Sequence, residues 1–197
     1  MNNGKIVLAS GNSGKLKEIQ AVLDEQRFKL IKQSEFDVPD VPETGTTFVE
    51  NAIIKARHAA KLTSLPALAD DSGIVVDALN GAPGVYSARY AGKHGEDEAN
   101  NTKLLQEMKN VEEEQRTARF QCVIVYMRHA EDPMPLICEG SWEGKILHAL
   151  IGPNGFGYDP LFYVPTHQCS SAELDPAEKN RISHRAQALQ KLMTKLQ

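Results

Sequence analysis

Blocks of apolar residues recur along this chain first at strand spacing and then at helix spacing. Ile6–Ala9 is a continuous apolar run and reads as a buried strand, and Leu16, Ile19, Val22 and Leu23 form the stripe of a helix predicted from Lys15 to Gln26. Phe28–Ile31 predicts a second strand, and residues 34–45 a loop in which Pro39 and Pro42 block regular structure. Thr47-Phe48-Val49-Glu50 has the pattern of a capping box and opens a helix that runs to Leu62, ahead of Pro66. Ala67–Asp70 and Ile74–Asp77 read as short strands around a Ser72-Gly73 turn, and Gly81–Gly84 as a further turn. Asp97–Lys109 predicts a surface helix and Arg119–Met127 the longest strand. Leu136–Cys138 and Gly144–Leu147 flank Trp142 as two antiparallel neighbours. After a glycine-rich loop at 152–159, Ile182, Ala186, Leu189, Met193 and Leu196 repeat at helical spacing and predict a closing helix. Strands alternate with helices early and follow one another late. The expected fold is therefore α/β, with a central mixed β-sheet flanked by helices.

The bulk numbers narrow the classes of function. A chain of 197 residues suits one domain, 1–197, with a real core. The formal charge of −4 argues against a protein that coats nucleic acid, yet leaves a small anionic ligand open. Cys122, Cys138 and Cys169 show neither metal-site nor redox-pair spacing and read as reduced thiols. Ile6–Ala9 is too short for a signal segment, and no stretch is long enough to span a bilayer. A cytoplasmic location without a membrane partner is expected.

Five polar segments carry candidate chemistry. The turn Ser10-Gly11-Asn12-Ser13-Gly14-Lys15 lies between a strand and a helix, a geometry that presents backbone N–H groups and a helix N-terminus to phosphate. It is not a P-loop, because two residues rather than four separate the glycines and Leu16 stands where a hydroxyl should. A plain turn with a solvated lysine would read the same. Asp70 and Asp71 end a predicted strand inside an apolar frame, and paired acids invite a divalent cation. Glu43 is the best-placed extra carboxylate. Lys55 lies roughly 20° beyond the apolar arc of its helix, with Asn51 one turn earlier; it either snorkels or enters a polar cleft. Phe156 and Tyr158 alternate with Gly155 and Gly157 ahead of Asp159-Pro160, an arrangement that leaves a ring face open for a planar ligand or plugs the core. His184 and Arg185 place positive charge in a first helical turn, where the dipole opposes it. An anion or a base carbonyl would relieve that conflict, and simple exposure would make it cheap.

Assembled, these segments resemble the inosine triphosphate pyrophosphatase family, and closely its bacterial dITP/XTP pyrophosphatase members. The resemblance rests on Leu8–Asn12, Glu43–Gly45 with Phe48–Ala52, Ala69–Gly73, Gly81–Arg89, Gly155–Pro160 and Ser183–Arg185, spread over nearly the whole length. It implies Mg²⁺-dependent hydrolysis of deaminated purine nucleoside triphosphates to monophosphate and pyrophosphate. It also implies a cleft between two lobes and a homodimer. Under it Ser10, Gly11, Asn12, Ser13, Gly14 and Lys15 match the phosphate-binding turn. Asp71 matches the proton acceptor and a metal ligand, Glu43 a second metal ligand, Ser72 a substrate contact and Lys55 a lysine near the phosphates. Phe156, Gly157, Tyr158, Asp159, Lys179, His184 and Arg185 match the base pocket. Two rivals stand beside this reading: a pyrophosphatase for other nucleotides, and a regulatory nucleotide-binding module without turnover.

Overall fold

The structure is a computed structural model that describes residues 4–23 and 28–196. Its strands are β1 (Lys5–Leu8), β2 (Lys29–Lys32), β3 (Ala67–Val76), β4 (Thr117–Met127), β5 (Leu136–Ile146), β6 (Phe162–Val164) and β7 (Cys169–Ser170). The helices are α1 (Ser13–Val22), α2 (Phe48–Thr63), α3 (Asp97–Glu107), α4 (Pro176–Ile182) and α5 (His184–Lys195). The strands form one seven-stranded sheet in the order β2-β1-β3-β4-β5-β6-β7. β1 pairs in parallel with β2 and β3, while β5–β6 and β6–β7 are antiparallel, so the sheet is mixed as expected.

The chain divides into two compact units. The first comprises 1–71, 122–140 and 184–197, the second 72–121 and 141–183, and the chain passes between them within β3, β4 and β5. In the first unit the sheet is covered on both faces, which is why Ile6–Ala9 and Cys122–Val125 read as unbroken apolar runs. Ile6, Leu8, Leu68, Cys122 and Ile124 pack with Ile19, Leu189 and Leu192 of α1 and α5. Their strand neighbours Val7, Ala9, Ala67, Ala69, Val123 and Val125 point the other way, onto Ala52, Ala56, Ala59 and Ala60 of α2. The second unit has its own core, in which Phe120, Trp142 and Phe162 meet with ring centroids 4.6–6.4 Å apart.

Several expected boundaries are corrected. The predicted Ser72-Gly73 turn does not exist: β3 runs straight through it. Gly73 is needed there for space, since a Cβ would collide with Ser87 Oγ and approach the Gly84 carbonyl to 2.5 Å. Leu136–Cys138 and Gly144–Leu147 are likewise not two neighbours but parts of the single strand β5. Gly140 and Gly144 sit inside it at close approaches to α5 and to Phe162. The closing helix starts at His184, and Ile182 ends the separate helix α4. The predicted continuation of α1 to Gln26 falls on residues 24–27, outside the described residues; the last described turn ends at Val22. The capping box of α2 forms as read, with Glu50 N–H donating to Thr47 Oγ1 and Thr47 N–H to Glu50. Among the described residues no helix is long and apolar enough to cross a membrane.

Candidate active site

The continuity of β3 reorganises the two aspartates. Adjacent residues on a strand face opposite sides of the sheet, so Asp70 and Asp71 stand back to back rather than sharing one cation. Asp70 joins the face of Leu68, towards α1 and α5, whereas Asp71 joins that of Ala67 and Ala69, towards α2.

On the Asp70 face the carboxylate is wholly buried and held from three directions. Lys15 Nζ lies 2.5 Å from Oδ1, Arg185 Nε 2.9 Å from Oδ2, and Cys122 donates its thiol to Oδ2 at 3.0 Å. Burial would raise the Asp70 pKa, but Arg185 and then Lys15 hold the carboxyl well below the usual carboxylate range. Arg185 is itself buried and also pairs with Glu18 of α1. The helix-dipole conflict noted in the sequence is thus answered by two carboxylates, and both His184 and Arg185 are buried rather than exposed. The structure therefore groups Arg185 with the Asp70 cluster of the first unit.

On the other face Lys55 bridges two acids, its Nζ lying 2.7 Å from Asp71 Oδ1 and 2.9 Å from Glu43 Oε1. Burial alone would lower the Lys55 pKa, but Asp71 and then Glu43 more than offset it and the ammonium is stabilised. Burial raises the Asp71 pKa, with Lys55 and Lys15 compensating only in part. Asp71 Oδ2 is buried without a hydrogen-bond partner. Two residues beyond Glu43 the chain is tied to the start of α2: Gly45 N–H donates to Asn51 Oδ1 at 2.8 Å, and a Cβ on Gly45 would approach Glu50 Cβ to 2.5 Å.

These residues fit a divalent cation. An unpartnered carboxylate oxygen is costly in the interior and is an acceptor waiting for a positive ligand. The two faces together carry Lys15, Lys55 and Arg185 against Glu18, Glu43, Asp70 and Asp71, three cations against four carboxylates, a formal balance of −1. Among the described residues no group of three or more acids, histidines or cysteines is placed to hold a metal alone. Two carboxylates with the remaining positions left to phosphate and water is the usual arrangement for Mg²⁺.

The turn at 10–15 caps the helix that follows it. Asn12 caps α1, its Oδ1 accepting from Lys15 N–H at 3.0 Å, and Ser10 Oγ accepts from Asn12 N–H at 3.2 Å. Gly11 lies open, with nothing nearer than 4.0 Å to the place of a Cβ.

In the second unit Phe156 is half-buried and outside the apolar core, while Tyr158 belongs to that core and donates its hydroxyl to the Ser87 carbonyl at 2.8 Å. Of the two aromatics, the ring that is partly exposed is therefore Phe156. Asp159 is the hub of the loop: it accepts from Phe156 N–H at 2.9 Å, from Ser171 Oγ at 2.9 Å and from Lys179 Nζ at 2.5 Å. Lys179 rides on α4, an element not expected from the sequence, and its Nζ sits 4.9 Å from the Phe156 ring centroid. Ser72 follows Asp71 on β3 and is half-buried. Sequence reasoning missed Glu18 as the partner of Arg185 and Cys122 as a donor to Asp70. The one available signal was that Glu18 lies three residues after Lys15, on the same side of α1.

A mixed α/β sheet whose third strand carries one aspartate towards a strand–turn–helix lysine and the other towards a second lysine defines the class of protein. Comparison with known proteins gives the family. Residues 6–195 match the Ham1 family, to which this chain belongs, in agreement with the resemblance carried by its motifs. A dITP/XTP pyrophosphatase of Vibrio cholerae is 62% identical over 188 residues, covering 95% of this chain and 94% of its own. The solved structure of a HAM1 protein from Coxiella burnetii is 59% identical, with a TM-score of 0.91 over 98% of both chains. That of the Staphylococcus aureus Ham1 protein is 44% identical, with a TM-score of 0.86 over 98% of this chain and 97% of its own.

Proposed function

We propose that this chain hydrolyses deaminated purine nucleoside triphosphates (dITP, ITP and XTP) to the nucleoside monophosphate and pyrophosphate. It does so with Mg²⁺, as a homodimer in the cytoplasm, and so clears these nucleotides from the pool. The reading is supported by relatives named dITP/XTP pyrophosphatase over nearly the full length. The observation that carries it is the buried, unpartnered Asp71 Oδ2 beside the Lys55–Glu43 pair.

Phosphoanhydride cleavage asks mainly for positioning and charge neutralisation. Glu43 and Asp71 would hold the Mg²⁺, which when bound neutralises charge on the phosphate oxygens. Lys55 is an ammonium donor for those oxygens; Lys15, whose charge is felt at Asp71, would act on the phosphate tail with Ser10, Asn12 and the amides of 11–14, and Ser72 lies beside Asp71. Asp71 orients the attacking water and accepts its proton; burial raises its pKa, which makes it a stronger base than an ordinary aspartate.

On the base side, Phe156 supplies a stacking face worth roughly 1–3 kcal/mol. The Lys179 ammonium, beside the Phe156 ring, would supply donors for a 6-oxo group. Adenine, with an amino group at that position, would leave such donors unpaired, which is how a polar site rejects a close analogue.

Incubation with ITP, XTP, ATP and GTP in the presence of Mg²⁺, with pyrophosphate and orthophosphate measured separately, tests the proposal. Pyrophosphate from ITP and XTP is expected. Equal turnover of ATP removes the specificity, and orthophosphate as the first product removes the cleavage position.

A further inference from the structure

The loop that presents Phe156 is gripped by a helix that no part of the proposed chemistry uses. Asp97 and Asn101 lie one turn apart on α3, so their side chains reach the same place. That place is Gly157. Asp97 Oδ2 accepts from Gly157 N–H at 2.7 Å, and Asn101 Nδ2 donates to the Gly157 carbonyl at 2.8 Å.

The consequence follows from peptide planarity. The Gly157 N–H lies in the plane that joins residues 156 and 157, and its carbonyl in the plane that joins 157 and 158. Fixing both planes fixes both backbone dihedrals of Gly157, which holds a left-handed φ of +61° that few other residues adopt. The loop is pinned on its far side because Tyr158 is buried in the core and tied to Ser87. The direction of the Phe156 ring therefore depends on the first of these planes, and so on α3. Asn101 is buried, yet its Oδ1 has no partner, so its Nδ2 bond to Gly157 is the polar contact that accounts for an amide in this position.

We infer that Asp97 and Asn101 are positioning residues that set the nucleobase affinity of this enzyme by clamping the Gly157 peptide, an inference that rests on the nucleotide reading above. They touch neither base nor phosphate; they act through Phe156.

The test is steady-state kinetics on ITP with Mg²⁺ for Asp97→Ala, Asn101→Leu and the conservative Asp97→Asn, which keeps an acceptor. Each of the first two raises KM about fivefold, the net worth of one hydrogen bond, with kcat held within about twofold. Asp97→Asn stays near wild type. In a Phe156→Ala background the addition of Asn101→Leu no longer raises KM, because the ring being aimed is gone. Asp97 is exposed, so Asp97→Ala carries the test should Asn101→Leu fail to fold. Unchanged KM in an active, folded Asp97→Ala, or KM effects that multiply in the double variant, overturns the clamp alone. Absence of ITP turnover in the wild type overturns the functional reading and the clamp with it.

Discussion

Replacing Gly140 by alanine tests how the fold holds the charged cluster. Gly140 lies in β5 where α5 begins. A Cβ built there overlaps the His184 carbonyl oxygen and stands 2.9 Å from the Ala188 nitrogen, both inside the 3.0 Å that real Cβ atoms keep. Both obstructing atoms are backbone, so no side chain can swing away and the first turn of α5 must shift bodily. Overpacking of this kind costs about 1–3 kcal/mol, and the rigidity of the neighbours argues for the upper end. For a chain of this length each kcal/mol lowers Tm by about 2–4 °C, so a fall of roughly 6–12 °C is expected. The His184 carbonyl belongs to the peptide that leads into Arg185, whose Nε is 2.9 Å from Asp70. Displacing it loosens that pair as well, and kcat/KM for ITP should fall while the helix signal in circular dichroism is kept. Calorimetry and kinetics on the one variant decide the matter. A Tm within about 2 °C of wild type would show that α5 has room to yield and that the approach at Gly140 is not structural.

Three further outcomes are expected. Asp71→Asn lowers kcat by at least about 10²-fold through loss of the base, yet leaves Tm near wild type, because it removes a charge that burial penalises and Glu43 still pairs with Lys55; near-normal turnover removes the base assignment. Phe156→Ala raises KM for ITP by about 5- to 150-fold with little change in Tm, the ring lying outside the core; an unchanged KM returns Phe156 to a packing role. Asp132→Asn has a pH signature away from the site. The Arg128 guanidinium holds the Asp132 carboxyl well below its ordinary range, so its contribution to stability is fully present above about pH 4 and fades as pH falls towards the folded pKa. The Tm gap between wild type and Asp132→Asn should therefore be open at pH 7 and close on acidification, and a gap that persists unchanged at pH 2 contradicts the assignment.

What the sequence disclosed was whatever depends on near neighbours. The capping box of α2 joins residues three apart, and β1 and β4 announce themselves because burial on both faces makes Ile6–Leu8 and Cys122–Val125 unbroken apolar runs. What it concealed depends on contacts distant in the chain. Gly73 reads as a turn residue until Ser87 is seen against it, and Gly140 falls in the gap between two predicted strands until α5 is seen against it. The false turn at Gly73 also hid the division of the two aspartates, since only an unbroken strand sends Asp70 and Asp71 to opposite faces. Ile182 keeps the phase of the following helix, so the break at Ser183 left no trace in the periodicity. The misfit of Arg185 with the dipole was legible as a conflict, but Glu18, which helps to resolve it, is 167 residues away.

The two aspartates, adjacent in the chain, are driven in opposite directions by their partners. Asp70 is fully buried with Lys15, Arg185 and a thiol donor, and its carboxyl is held ionised. It thereby fixes Lys15 of the turn at 10–15 and the first turn of α5 to the same strand. Asp71, half-satisfied and with a raised pKa, keeps an oxygen for something the chain does not supply. A carboxylate with all its partners in place cannot take up a proton or a cation without breaking them, whereas one left short of a partner can. Asp70 is thus suited to organising charge and Asp71 to chemistry, and the alternation of a single strand is enough to separate the two tasks.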